Sequence, residues 1–149
     1  MKRLLLMILL IFALFAGPAF AQATTTVGTH DDAKLGTILT DSKGMTLYLF
    51  TKDTPGKSNC YDKCATNWPP LIGKEPLTLP DGVPGKLTLI DRTDGTKQVA
   101  NNDAPLYTWI KDEKPGDTTG QEVGDVWYVI NPSAPGATPA ASPEASPAS

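Results

Sequence analysis

The chain has 149 residues, 40% of them apolar and 19% charged, with fourteen prolines, thirteen glycines, two cysteines and one histidine. That length excludes a large multidomain enzyme and bounds the chain to one small domain. The formal net charge of -3 becomes -5 once Lys2 and Arg3 at the N-terminus are set aside, which argues against a nucleic-acid partner.

In chain order, Lys2 and Arg3 precede an apolar run over residues 4–15, then Gly17, Pro18 and the small-x-small triplet Ala19, Phe20, Ala21. This is the pattern of a secretory signal peptide over residues 1–21, cleaved after Ala21, and it predicts a periplasmic or secreted product. The run falls short of the roughly 20 apolar residues a bilayer span needs, and no second such run follows, so no transmembrane segment is expected in the mature chain. Residues 22–34 form a polar N-terminal segment that holds the sole histidine, His30.

Residues 35–132 carry the folded part, predicted to be all-β. After the signal region short apolar runs are punctuated every ten residues or so by Gly, Pro, Asn and Asp, and no long 3.6-residue period is present. Residues 37–40 and 45–50 flank the turn-forming set Asp41, Ser42, Lys43, Gly44 and propose a β-hairpin. Residues 97–100 and 106–110 flank Asn101, Asn102 and Asp103 and propose a second, with Pro105 where no strand N–H is needed. Further strands are predicted over 87–91 and 126–130, and residues 74–86, rich in proline, read as a connecting loop. The tail over residues 133–149 contains only Ser, Ala, Pro, Gly, Thr and one Glu, and reads as disordered.

An internal repeat organises the domain. Tyr48, Phe50 and Asp53 recur as Tyr107, Trp109 and Asp112, the pattern Y-x-[FW]-x-x-D, and the same offset carries Leu47 onto Leu106 and Trp68 onto Trp127. The expected architecture is two tandem β-hairpin repeats, about 35–73 and 94–132, related by a pseudo-twofold. Side chains alternate along a strand, so Tyr48 and Phe50 share a face, as do Tyr107 and Trp109, and these aromatics are expected to be core. Asp53 and Asp112 have the opposite parity, just before Pro-Gly turns. They are expected to accept backbone N–H groups there, the other reading being a paired-carboxylate site for a cation or sugar.

Cys60 and Cys64 are the only cysteines, and thiols of exported proteins usually pair. If Asn59 caps a short helical turn, the two lie on one face at disulfide distance. The alternative is a copper or thiol-redox site at Cys60 and Cys64, for which a third ligand is hard to find: His30 lies in the polar segment and Met45 beside a turn. There is no nucleophile elbow, no His-Glu-x-x-His and no phosphate-cradling glycine loop, so no catalytic residue, no enzymatic activity and no cofactor are expected.

Taken in order, Tyr48-x-Phe50-x-x-Asp53, Cys60-x-x-x-Cys64, Trp68-Pro69-Pro70-Leu71, Arg92-x-Asp94-Gly95, Pro105-Leu106-Tyr107-x-Trp109-x-x-Asp112 and Pro115-Gly116-Asp117 resemble the bacterial secreted-repeat family of predicted lipoproteins with the Yx[FWY]xxD motif. The resemblance implies a two-repeat envelope or secreted protein and no particular mechanism. No cysteine follows Ala21 to accept a lipid. The resulting expectation is a non-catalytic cell-envelope or secreted module, structural or binding an envelope polymer, a protein or a small ligand. Tyr48, Phe50, Asp53, Tyr107, Trp109 and Asp112 are its motif residues.

Overall fold

The computed structural model describes residues 24–133, which form short strands with one five-residue α-helix. The predicted signal peptide and all of the predicted tail but Ser133 lie outside the described residues. A two-residue strand β1 (Thr25–Thr26) leads into the hairpin of β2 (Gly28–Asp32) and β3 (Gly36–Thr40), and then into β4 (Tyr48–Phe50). Helix α1 (Lys63–Asn67) and the short β5 (Leu77–Thr78) follow. A second hairpin, β6 (Leu87–Asp91) with β7 (Lys97–Asn101), continues into β8 (Ala104–Pro105), and the last strand is β9 (Trp127–Val129).

Each long hairpin is closed by an aspartate that satisfies turn amides. Asp32 Oδ1 accepts the N–H groups of Lys34 and Leu35, both at 2.8 Å, and Asp94 Oδ1 accepts the Thr96 N–H at 3.0 Å and its hydroxyl at 2.6 Å. A short carboxylate that bonds its own backbone two or three residues on is what makes Asp a turn former. Gly95 supplies the positive φ, +82°, that the second turn needs.

The middle of the domain is held by two matching rings of backbone hydrogen bonds. In the first, Leu39 N–H donates to Ile130 O (2.9 Å), Ile130 N–H to Leu47 O (3.3 Å) and Leu47 N–H to Leu39 O (2.9 Å). In the second, Val99 N–H donates to Leu71 O (2.8 Å), Leu71 N–H to Leu106 O (2.8 Å) and Leu106 N–H to Val99 O (3.0 Å). Each ring closes three strand segments on one another, so their buried amides are satisfied without a further strand. All six residues are apolar, and five of them sit together in an aliphatic core with Val27 and Leu49, with Leu71 packed against it.

Between the rings, Tyr48 and Tyr107 exchange backbone bonds, Tyr48 N–H to Tyr107 O at 2.8 Å and Tyr107 N–H to Tyr48 O at 3.0 Å. Outside this pair Tyr48 is opposite Val129 of β9 and Tyr107 is opposite Pro70. Alternation along β4 sends Leu49 into the aliphatic core and Tyr48 and Phe50 into a second, aromatic cluster that also holds Trp68, Tyr107, Trp109, Trp127, Cys60 and Cys64.

The strands depart from the sequence-based expectation at four places. The 41–44 turn forms, with Asp41 Oδ1 accepting the Lys43 and Met45 amides, but the paired strand is lost after the Thr40–Thr46 bridge and β4 pairs with β9. With both faces covered, residues 48–50 are central and cannot remain one arm of an isolated hairpin. The strand expected over 106–110 is reduced to the single bridged position Tyr107, with β8 lying just before it, because the chain turns at Asp112 N–H to Trp109 O, 3.1 Å. The polar segment 22–34 contributes β1 and β2, with Val27 fully buried, and the 74–86 connection contributes β5, which pairs in parallel with β1. Asn59 does not cap α1: the residue before the helix is Asp62, while the Asn59 side chain donates to Lys52 O at 2.7 Å.

Candidate functional site

The six motif residues converge, and they do so across the two halves. The Tyr48 hydroxyl donates to Asp112 Oδ2 at 2.7 Å, and the Tyr107 hydroxyl donates to Asp53 Oδ2, also at 2.7 Å. Each tyrosine therefore bonds the aspartate of the other half, and both pairs are buried. The second oxygen of each carboxylate accepts from the loop that follows it. Asp53 Oδ1 takes the Asn59 N–H (2.6 Å), and Asp112 Oδ1 takes the Thr119 N–H (3.0 Å) and hydroxyl (2.6 Å). All four carboxylate oxygens are thus engaged by internal donors.

The second contact of each phenol differs between the halves. Tyr48 Oη accepts the Gly120 N–H at 3.1 Å, whereas Tyr107 Oη lies 2.8 Å from Ser58 Oγ. A side chain at position 120 would collide with the Tyr48 and Trp68 rings at under 3 Å, so glycine is what lets the backbone approach the phenol.

Four rings stack in a column: Phe50 on Trp127 (centroids 4.3 Å apart, planes 15° apart), Trp127 on Trp68 (3.9 Å, 5°) and Trp68 on Trp109 (3.9 Å, 23°). The two tyrosines meet the inner pair edge-on, Tyr48 against Trp68 at 5.3 Å and Tyr107 against Trp127 at 5.2 Å. Stacked and edge-to-face contacts of this kind add about 0.5–1.5 kcal/mol each beyond area burial. Trp68 and Trp127 are 4% exposed, while Phe50 and Trp109 at the two ends are half-buried, and the Lys111 ammonium sits 5.5 Å from the Trp109 ring centre.

Cys60 and Cys64 are joined as a disulfide, with Cα atoms 5.2 Å apart. Both sulfurs being engaged, neither is a thiolate ligand in this form, and among the described residues no three His, Cys, Asp or Glu side chains converge on a metal position. Arg92 holds the disulfide loop. Its guanidinium, 4% exposed as a residue, donates to Cys60 O (2.9 Å), Ser58 Oγ (2.8 Å) and Gln98 Oε1 (2.7 Å), bonds the Asp94 carboxylate at 3.2 Å and lies 4.3 Å over the Tyr61 ring.

Through Ser58 and Tyr107 this buried cation is linked to Asp53. Burial nevertheless pushes the Asp53 carboxyl up to about 6, against the opposing pull of the Tyr107 hydroxyl, the Asn59 amide and the Arg92 charge. Burial, reinforced by the neighbouring carboxylates, raises both phenols well above their ordinary range. Arg92, Ser58 and Gly120 are absent from the candidates that the sequence suggests. Arg92 carries two usable signals, since it opens the Arg92-x-Asp94-Gly95 motif and is the only arginine after Arg3.

A β-module of two halves clasped through exchanged Tyr–Asp bonds is the class of protein these features define. The family model for a secreted repeat of unknown function matches residues 29–72 and again residues 88–131, and the chain belongs to that family. The two matches cover both halves of the clasp, and the first begins inside β2, in the segment that the sequence pattern set apart from the domain. No curated protein and no solved structure matches the chain.

Proposed function

We propose that the protein is an exported, non-catalytic envelope module in which the Y-x-[FW]-x-x-D residues act as a clasp between two halves related by an approximate twofold. The observation that carries this reading is the reciprocal pair Tyr48–Asp112 and Tyr107–Asp53, buried and with every carboxylate oxygen engaged. Groups so occupied are poorly placed to attack, protonate or ligate a substrate, and well placed to specify one arrangement of the halves. The description of the family as secreted agrees with the signal-like N-terminus. The module works by presenting its surface to an envelope polymer, a protein or a small ligand.

Mass spectrometry of the full chain recovered from the compartment to which it is exported tests the reading. The expected product begins at Gln22, keeps the Cys60–Cys64 disulfide and carries no copper. Free thiols with bound copper would instead support an envelope metal or thiol-redox protein.

A further inference from the structure

We propose that the aromatic column is a conduit for one-electron oxidation, entered at Trp109 and ending on the buried phenols of Tyr48 and Tyr107. Three indoles, Trp109, Trp68 and Trp127, lie in successive face-to-face contact with centroids 3.9 Å apart at each step. Overlapping π systems at that spacing let an electron pass from ring to ring without the protein rearranging. The column is asymmetric at its ends in a way the repeat does not require. One end is Phe50, whose ring is hard to oxidise, and the other is Trp109, half-buried and readily oxidised. Entry is therefore confined to the Trp109 end.

The inner indoles each touch a phenol that can complete the step. Tyr48 lies edge-on to Trp68 and Tyr107 edge-on to Trp127. A phenol gives up an electron at accessible cost only if its proton leaves too, and each hydroxyl already points at a carboxylate oxygen at 2.7 Å, within the range for direct proton transfer. The sequence of events balances as follows. A small oxidising radical at the surface, of the class the azide radical represents, takes an electron from Trp109 and leaves as its anion, Trp68 refills Trp109, and Tyr48 refills Trp68 while its proton moves to Asp112 Oδ2. The net change converts one phenol and one carboxylate into one neutral phenoxyl radical and one carboxylic acid, and the oxidant is reduced by one electron. Tyr107 and Asp53 do the same through Trp127. The oxidising equivalent so captured ends inside the domain, away from the solvent-facing indole.

Pulse radiolysis with the azide radical as oxidant, followed by transient absorption, separates indolyl from tyrosyl radicals. In the full-length protein the indolyl signal is expected to decay into a tyrosyl signal at a rate independent of protein concentration. Tyr48→Phe combined with Tyr107→Phe defines the background from Tyr61 and Tyr128, and should lower the tyrosyl yield several-fold. Trp109→Phe places at that end the ring the first half already carries at Phe50, so the stack is retained while the entry is removed. It should fold with an unchanged near-ultraviolet dichroism of the inner pair and lose the indolyl-to-tyrosyl conversion. Asp112→Asn with Asp53→Asn keeps one acceptor oxygen at each position but no base, and should leave the radical on indole. A tyrosyl yield in folded Trp109→Phe equal to that of the parent, or one undiminished in the double phenylalanine variant, would overturn the proposal.

Discussion

Removing a single oxygen tests the clasp most directly. Tyr48→Phe deletes the bond to Asp112 Oδ2 and the acceptor of the Gly120 amide, and Tyr107→Phe deletes the bond to Asp53 Oδ2 and the contact with Ser58. A hydrogen bond to a charged partner contributes about 1.5–3 kcal/mol and a neutral one about 0.5–1.5 kcal/mol, so each substitution should cost roughly 3 kcal/mol. Ring packing against Trp68 or Trp127 is preserved in both, which keeps cavity formation out of the comparison. Urea unfolding of the singles and doubles, combined with Asp53→Asn and Asp112→Asn, yields double-mutant cycles. The pairs Tyr48–Asp112 and Tyr107–Asp53 should couple by about 1 kcal/mol or more, within the range for residues sharing a bond. The same-half pairs Tyr48–Asp53 and Tyr107–Asp112 share no direct hydrogen bond and should add to within about 0.5 kcal/mol. Coupling found in the same-half pairs and missing from the crossed ones would refute the exchange.

Asp53 makes the stability pH-dependent with a definite sign. Its folded carboxyl sits near 6, above the roughly 3.9 of an unfolded chain, so its contribution is complete below about pH 4 and is lost as pH rises through 6, on the order of 3 kcal/mol in all. Asp94, drawn down to about 2 by the Thr96 hydroxyl and amide, acts in the opposite direction, so the quantity to measure is the difference between the parent and Asp53→Asn across pH 4–8, which should narrow as the pH rises. Reducing the Cys60–Cys64 bridge should lower the unfolding free energy by only about 2 kcal/mol, as the chain-entropy relation gives for so small a loop, with the domain still folded by far-ultraviolet dichroism. Trp68→Ala and Trp127→Ala should each cost about 3–5 kcal/mol in urea midpoint terms, and an unchanged midpoint for either would show that the inner stack contributes nothing to stability.

Local pattern made much of this structure legible in the chain. The strand over 87–91 falls on β6 residue for residue, because alternation and flanking turn formers act within a few positions of one another. The repeat equates Trp68 with Trp127, and both are buried in the same cluster. The pairing of the cysteines likewise follows from their proximity in sequence. Crossing between halves is what local pattern cannot carry. Parity places Asp53 near the exit of its own strand, but which of two equivalent phenols reaches it is decided by the backbone exchange between Tyr48 and Tyr107, residues far apart in the chain. The same holds for β4, whose partner β9 comes near the end of the described chain, and for Arg92, which reaches back from the second hairpin turn to a loop of the first half. The polar sequence of β2 hid a true strand because its burial is slight, while the adjacent Val27 is wholly enclosed.

The exchanged bonds also bear on how such a chain could be divided. In the assembled fold neither half satisfies its own aspartate with its own tyrosine, since each phenol bonds the opposite side. A polypeptide holding one half would therefore leave a phenol and one oxygen of its carboxylate without the partners they have here, and the arrangement that relieves both is a second copy of the same half. Two halves on separate chains could complement one another across a nick in the 80–86 segment, exposed but for the half-buried Val83, and two whole chains at high concentration could trade halves through it. Tandem duplication within one chain makes that union intramolecular, so the assembled state no longer depends on protein concentration.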